Sequence, residues 1–290
     1  MKRFFIVTNL VKDPQQKTTE YIASYLRQRG ATANVLIRDA ISKQQLYETG
    51  EKSPLLIPEQ TDCILVLGGD GTLLQAARDT LRLNIPLLGV NLGTLGFLAE
   101  VEKSGIDEAL DHLLADEYEV EERMLLSGIY QDGEKEKTAH ALNDIVISRK
   151  GPLMVVPYAV KVNGQELAFY SADGIILSTP TGSTGYNLSA GGPIVSPSAQ
   201  LMVITPICPH TMNTRSIVLS SSDEVEIMIA DKKGDKDALA EAEVYFDGAL
   251  IKSVRAGEGL LIRRSHRTVR LIRLNSISFL RTLHTKMGEA

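Results

Sequence analysis

The stretch Cys63–Arg78, CILVLGGDGTLLQAAR, decides the fold. An apolar run, Cys63 to Leu67, meets the break Gly68-Gly69-Asp70-Gly71-Thr72, after which Leu73, Ala77 and Leu81 recur every four residues, with Leu74 and Ala76 widening the stripe. That spacing is helical. Asp-Gly is also a hairpin signal, but a returning strand needs period-two alternation and none follows Thr72. The stretch therefore reads as a strand, a tight glycine loop and a helix. Glycines at the top of a strand let the backbone approach a ligand, and the free N–H groups of a first helical turn favour anions. Gly68, Gly69, Gly71 and Thr72 are thus a candidate phosphate loop. It is not a Walker loop, since no Lys-Ser or Lys-Thr follows the last glycine, and it is not the Gly-x-Gly-x-x-Gly dinucleotide fingerprint. Asp70 stands in its middle. A carboxylate repels phosphate, so this placement points to metal, hydroxyl or proton work.

Working outward, Phe4 to Thr8 reads as a strand, Pro14 to Arg29 as a helix stopped by Gly30, and Val35 to Ile37 and Ile85 to Val90 as further strands. Strands alternating with helices over short links argue an α/β domain with a doubly wound parallel sheet, whose ligands bind beyond the carboxyl ends of the strands. Asn91 to Phe97, NLGTLGF, would line the same crevice as the glycine loop. Ser104 to Leu114 reads as a helix with Ser104 at its start. After Tyr118 the period changes: Leu125 to Tyr130, Ile145 to Ser148, Tyr158 to Val162, Ile175 to Ser178, Val225 to Ile229, Leu260 to Arg263 and Val269 to Leu274 are strand-like. The turn signals Asp132-Gly133, Asn163-Gly164 and Asp247-Gly248 lie among them. The chain thus divides into an α/β domain over 1–120 and an all-β domain over 121–274, with a short helix over Ser278 to Met287.

The 290 residues are 43% hydrophobic and 23% charged, the balance of a globular protein, and the formal charge of −5 gives no reason to expect nucleic acid or an anionic membrane as partner. Cys63 and Cys208 imply no disulfide framework, and His112, His140, His210, His266 and His284 lack the spacing of a zinc site. The N-terminus, MKRFFIVTNLVKDP, has the basic and apolar residues of a signal peptide, but Thr8, Asn9, Lys12 and Asp13 interrupt it and no small-residue cleavage site follows. No apolar run approaches the roughly 18 residues that span a bilayer. A cytoplasmic protein is the expectation.

A second constellation, Ser178 to Ser198, reads STPTGSTGYNLSAGGPIVSPS. Strand signals precede it, Ile194 and Val195 follow it, and a flexible linker has no use for Tyr186. Thr181, Ser183 and Thr184 supply hydroxyls and Tyr186 a flat face with a polar tip, a set suited to a nucleoside. Asn143 and Asp144 interrupt an apolar strand context, where buried polar groups need partners, and Asp173 similarly precedes Ile175.

With these pieces the chain resembles the NAD kinases, which phosphorylate the 2'-hydroxyl of the adenosine ribose of NAD. Gly68 to Thr72 looks like that family's first motif, Asn143-Asp144 like its Asn-Glu or Asn-Asp pair, and Asp173 to Pro193 like its long glycine-rich motif. The resemblance implies a β-sandwich for the second domain, a segment 275–290 returning to the first, and a homo-oligomer, dimer or tetramer. It makes Asp70 the proton acceptor, contacting NAD with Gly71. Asn143, Asp144, Asp173 and the run Thr184, Gly185, Tyr186, Asn187, Leu188 and Ser189 then bind NAD. The donor would be ATP or polyphosphate with a divalent metal, magnesium, for which no ligand is read from the sequence. Gly185 stands where bacterial members usually have Ala, Ser171 where some have Arg, and Ala249 where many have Gln. Two alternatives are a diacylglycerol-type lipid kinase, which commonly carries Glu where this chain has Gln75, and a protein that binds NAD or NADP without turnover. The presence of Asp70, Asn143 and Asp144 argues against the second.

Overall fold

In the computed structural model, which describes residues 1–38, 57–94, 96–151, 155–210, 214–230, 241–274 and 278–288, the apolar runs of the N-terminal region are parallel strands. The chain forms two compact units, Met1–Arg123 with Thr268–Ala290, and Met124–Arg267. In the first, β1 (Arg3–Asn9), α1 (Lys17–Gln28), β2 (Thr32–Arg38), β3 (Cys63–Gly68), α2 (Asp70–Thr80), β4 (Leu87–Asn91), β5 (Val101–Glu102) and α3 (Ile106–Leu114) follow one another. The parallel strand order is β2-β1-β3-β4, with β5 added at the end of β4. Every residue of β3 is buried, as expected of a parallel strand covered on both faces. Phe4, Ile6, Leu65 and Leu67 of the sheet share a core with Ile22 and Leu26 of α1 and Leu110 and Leu113 of α3.

Two local expectations are corrected. The helix after the glycine run begins at Asp70, not after Thr72. Ser104 lies in a separate 3-10 turn, Lys103–Gly105, so Gly105 precedes α3 without a side-chain cap. Asp107 and Glu108 in the first turn of α3 compensate, since negative charge there complements the helix dipole.

The second unit is antiparallel. It begins within β6 (Glu119–Asp132) and continues through β7 (Lys135–Ala141), β8 (Asp144–Arg149), β9 (Val156–Val162), β10 (Gln165–Ala172) and β11 (Gly174–Ser178). One helical turn, α4 (Tyr186–Ser189), interrupts the strands. There follow β12 (Leu201–Ile207), β13 (Ile217–Ser220), β14 (Val225–Ile229), β15 (Glu241–Phe246), β16 (Ala249–Arg255) and β17 (Gly259–Arg273). One sheet has the order β13-β12-β11-β8-β15-β16. A second layer runs β10-β9-β14 and the start of β17. Ile145, Leu177, Ile204 and Val244 from the first and Tyr158, Val160, Ile227 and Ile262 from the second make one core, a β-sandwich.

Asn163-Gly164 and Asp247-Gly248 each close a two-residue hairpin with positive φ at both positions (51° and 76°; 48° and 75°), the geometry that matches strand twist. The β6–β7 hairpin closes on Gly133-Glu134, one residue later than the Asp132-Gly133 signal, because Asp132 pairs with Lys135. β7 carries Lys135, Glu136 and Lys137, β15 carries Glu241 and Glu243, and β16 carries Lys252 and Arg255, charges that hide their strand character. The segments Leu260 to Arg263 and Val269 to Leu274, read separately in the sequence, belong to the single strand β17 through Arg273. Its exposed Arg263, Arg264 and His266 break the apolar pattern without breaking the strand.

Leu271 of β17 pairs with Leu87 of β4 in the first unit. The chain then forms α5 (Phe279–Gly288), whose Phe279 ring packs on Phe97 at 6.0 Å between centroids. Residues 275–277 and 289–290 of the expected returning segment lie outside the described residues. Among the described residues, no helix is long and apolar enough to cross a membrane.

Candidate active site

In the strand order β2-β1-β3-β4 the direction of winding reverses between β1 and β3, and the carboxyl ends of those strands frame the crevice where such sheets take ligands. The glycine run lies there, but as a tight turn rather than an open loop. Gly68 is the last residue of β3, Gly69 is extended (φ −124°, ψ −173°), and Asp70 opens α2. A side chain on Gly68 would overlap Thr72, whose hydroxyl in turn accepts the amide N–H of Asn9 at 3.1 Å. Above Gly69 and Gly71 there is open space, the room a phosphate needs at the start of a helix.

Asp70 is half-buried, and the loop after β4 holds its carboxylate. Oδ2 accepts the N–H of Phe97 at 2.8 Å and Oδ1 that of Leu98 at 3.2 Å. A Cβ on Gly96 would overlap both oxygens, so only glycine lets this backbone close over the carboxylate. The loop is fixed at its far end as well. The buried Glu100 pairs with Arg273 and accepts the N–H of Leu274 at 3.1 Å. Lys12, from the turn after β1, lies with its ammonium 3.3 Å from where a Cβ on Gly93 would be, which brings a cation to this end of the sheet.

In the second unit Asn143 and Asp144 sit at the start of β8, and both sides of their backbone are satisfied. The Asp247 carboxylate, in the β15–β16 turn, accepts the N–H groups of Leu142 (2.9 Å), Asn143 (2.7 Å) and Asp144 (3.3 Å). Opposite, Thr179 N–H donates to the Asn143 carbonyl (2.8 Å) and its hydroxyl to that of Leu142 (2.6 Å). Gly182 presses on the Asn143 backbone so closely that a Cβ would overlap it. Against this pinned backbone, Asn143 Oδ1 is buried without a hydrogen-bond partner. Asp144 is 5% exposed, and burial, reinforced by the charge of Asp247, pushes its carboxyl up to about 7.

The glycine-rich segment packs directly on this pair. Thr181–Thr184 form a 3-10 turn, and Gly185, 3.4 Å at its Cβ position from Asn143 Nδ2, leads into α4. The segment's polar groups divide into two sets. Ser183 spends its hydroxyl on the Pro180 carbonyl (2.7 Å) and the Val195 N–H (3.0 Å), so it braces the fold instead of offering a free donor. Asn187 is fully buried, donating to the Ser183 and Pro193 carbonyls (3.1 and 3.0 Å) and accepting from Thr205 (2.7 Å). Thr184 is half-buried, with its hydroxyl 3.4 Å from the Thr181 carbonyl. Tyr186, Leu188 and Ser189 are exposed.

Asp173 is not brought to this cluster. It precedes β11 at the end where Gly174 pairs with Ser148, whereas Asp144 pairs with Ser178 at the other end, five residues and roughly 16 Å of strand away. There its carboxylate meets Arg149 at 3.1 Å. Asn9, Gly96, Glu100, Thr179 and Asp247 were not singled out as site residues in the sequence. NLGTLGF and Asp247-Gly248 gave signals there, but as a crevice lining and a turn.

The chain is thus a two-domain protein, an α/β unit with a carboxylate at a glycine turn and an antiparallel β unit with an Asn-Asp pair in which Asn143 Oδ1 and Asp144 are buried. Comparison with known proteins narrows the class. Residues 4–118 match the ATP-NAD kinase N-terminal domain and residues 142–274 the ATP-NAD kinase C-terminal domain. The NAD kinase of Lachnospira eligens is 44% identical, covering 99% of this chain and 100% of the relative, and that of Lachnoclostridium phytofermentans is 42% identical with both chains fully covered. Among solved structures, an NAD kinase from Archaeoglobus fulgidus in complex with ATP superposes with TM-score 0.75 at 25% identity, covering 99% of both chains. Yeast NADH kinase complexed with NADH shares the fold, with TM-score 0.82 at 24% identity, covering 99% of this chain and 88% of that one. The chain belongs to the NAD kinase family, a family of transferases, which sets aside the lipid-kinase alternative.

Proposed function

We propose that the protein transfers the terminal phosphoryl group of ATP to the 2'-hydroxyl of the adenosine ribose of NAD, giving NADP and ADP. Asp70 orients the hydroxyl and takes its proton, and Asn143, Asp144 and the segment Thr184 to Ser189 hold the dinucleotide. The observation that carries the second assignment is the Asn143 amide: its Oδ1 is a buried acceptor with no partner, in a stretch whose backbone groups are all paired. Such a group costs free energy until a ligand donor reaches it, and a ribose hydroxyl or a base amino group supplies one. Asp144, with its carboxyl near neutrality, both donates to and accepts from hydroxyls. Asn187 and Ser183 act from beneath, by holding α4 in place, and Tyr186 offers its face from above.

In the reaction the ribose oxygen bonds to the terminal phosphorus as the bond to the leaving ADP oxygen breaks, and the hydroxyl proton passes to Asp70. A carboxylate is a far weaker base than an alkoxide and does not ionise a sugar hydroxyl in advance, so the work of Asp70 is orientation and late proton acceptance, which suits a loose transition state. Gly69 and Gly71 leave room for donor phosphate at the first turn of α2. Among the described residues no three His, Cys, Asp or Glu side chains gather as a metal cage. Magnesium takes one or two carboxylates and substrate phosphates, and Asp70 is the carboxylate that would hold it here. Such an ion would supply charge neutralisation at the donor phosphates.

Purified protein given NAD or NADH, with ATP or polyphosphate and magnesium in turn, should form product that an NADP-specific dehydrogenase reads. Turnover should cease on chelation and return with added magnesium. Absence of product with every donor would overturn the reading. A cytoplasmic homo-oligomer, dimer or tetramer, is part of the same proposal, and light scattering tests its size.

A further inference from the structure

Asp247 has no part in the chemistry described above, yet it is built into the site. Its carboxylate collects three consecutive backbone N–H groups, those of Leu142, Asn143 and Asp144, from a hairpin turn more than a hundred residues away in sequence. The turn itself is anchored in return, since Asp247 N–H donates to the Asp144 carbonyl at 3.0 Å. A type I′ turn at this position needs only a residue that accepts positive φ, which Asn does as readily as Asp. The turn alone therefore does not demand a carboxylate. The three N–H groups do demand it, since Oδ2 takes that of Leu142 and Oδ1 those of Asn143 and Asp144, a two-oxygen set that an amide with one acceptor oxygen lacks, and the charge so placed lies beside a buried acid.

We propose that Asp247 is a positioning residue for the reaction, fixing the direction of the Asn143 and Asp144 side chains and supplying the negative field in which the Asp144 carboxyl works. The proposal rests on the reading that Asn143 and Asp144 hold the dinucleotide. Around Asp144, β11 presents Ser178, the glycine-rich segment presents Thr179 and Gly182 to Gly185, and the β15–β16 turn presents Asp247. Asp247 is the charged group whose field acts on it. A like charge this close disfavours the ionised form, so the protonated carboxyl persists near neutral pH, ready to donate to an oxygen of the ligand.

The test is the pH dependence of kcat/KM for NAD in the full-length enzyme, for the wild type, Asp144→Asn, Asp247→Asn and Asp247→Glu, with a 13C NMR titration of the aspartate carboxyls in the wild type. Asp144→Asn should remove the limb near pH 7. Asp247→Asn should move that limb to lower pH by about one unit, because the repelling charge is gone. Asp247→Glu keeps the charge but not the reach, so the limb should stay while KM for NAD rises. A limb that Asp144→Asn removes but Asp247→Asn leaves in place overturns the role of Asp247 and spares the reading of the pair. If Asp144→Asn changes neither the profile nor KM, the pair does not hold NAD and both fall. Should Asp247→Asn fail to fold, the wild-type titration decides: an Asp144 carboxyl titrating at an ordinary value near 4 overturns the proposal.

Discussion

In the α/β unit the Asp70 carboxylate accepts two backbone N–H bonds in the first turn of an 11-residue helix, whereas in the β unit the Asp144 carboxyl is buried beside a second carboxylate. The side chains are chemically identical, and their surroundings give them opposite tasks. A helix start and two amides aim the carboxylate, which suits a group that orients a hydroxyl and receives a proton. Burial and a like charge favour the neutral acid, which suits a group that binds by donating as well as accepting. The difference teaches that the two halves of the motif set are tuned by loops distant in sequence: Gly96 to Leu98 for one, Asp247 for the other.

Breaking the first half should cost most. Asp70→Asn keeps size and turn geometry but loses charge and basicity, and kcat should fall by roughly 100-fold or more with NAD affinity changed much less. Near wild-type kcat at saturating NAD and magnesium would remove Asp70 from the chemistry.

Next in size is Gly96→Ala, which touches no ligand in this scheme. The added methyl displaces the Asp70 carboxylate and should lower kcat by roughly 10- to 100-fold, the scale of a misplacement near 1 Å. The comparison sharpens in an Asp70→Ala background, where the overlap no longer exists: there Gly96→Ala should cost almost nothing further in activity or melting temperature. Equal losses in both backgrounds would show that the loop acts on something other than Asp70.

Asp144→Asn probes the other half through stability. The folded carboxyl is raised to about 7 from 3.8, so the folded state holds a proton that the unfolded chain releases earlier. The stability it contributes is whole below about pH 4 and is lost as pH rises through 7. The amide has no charge to bury, so the variant should melt at higher temperature than the wild type at pH 8, with the gap closing toward pH 5. Thermal melts across that range check it, and a gap independent of pH would mean that burial does not govern this group.

The smallest effect belongs to the exposed Tyr186. Tyr186→Ala should weaken NAD binding by on the order of 1 kcal/mol, about fivefold in Kd by calorimetry, with kcat nearly kept. Unchanged affinity would take the ring out of the binding surface.

Legibility in the sequence followed the range of the interaction. The strand Cys63–Gly68, the helix beyond it and the hairpins at Asn163-Gly164 and Asp247-Gly248 were all readable, because periodicity and turn chemistry act within a few residues. The motifs likewise pointed to Asp70, Asn143 and Asp144. Strands such as β7 and β15 escaped notice because their charged residues face outward, and a sheet tolerates them only once the neighbouring strands are in place. What tertiary structure alone decided is the state of each functional group. Asp70 meets Phe97 and Leu98, Asp144 meets Asp247, and Asn143 Oδ1 is left without a partner. The tertiary structure likewise decided that the side chains of Asn187 and Ser183 form hydrogen bonds inside the fold. Hydrogen bonds and fields between groups 27 to over 100 residues apart depend on where the chain returns in space, and no local pattern encodes that.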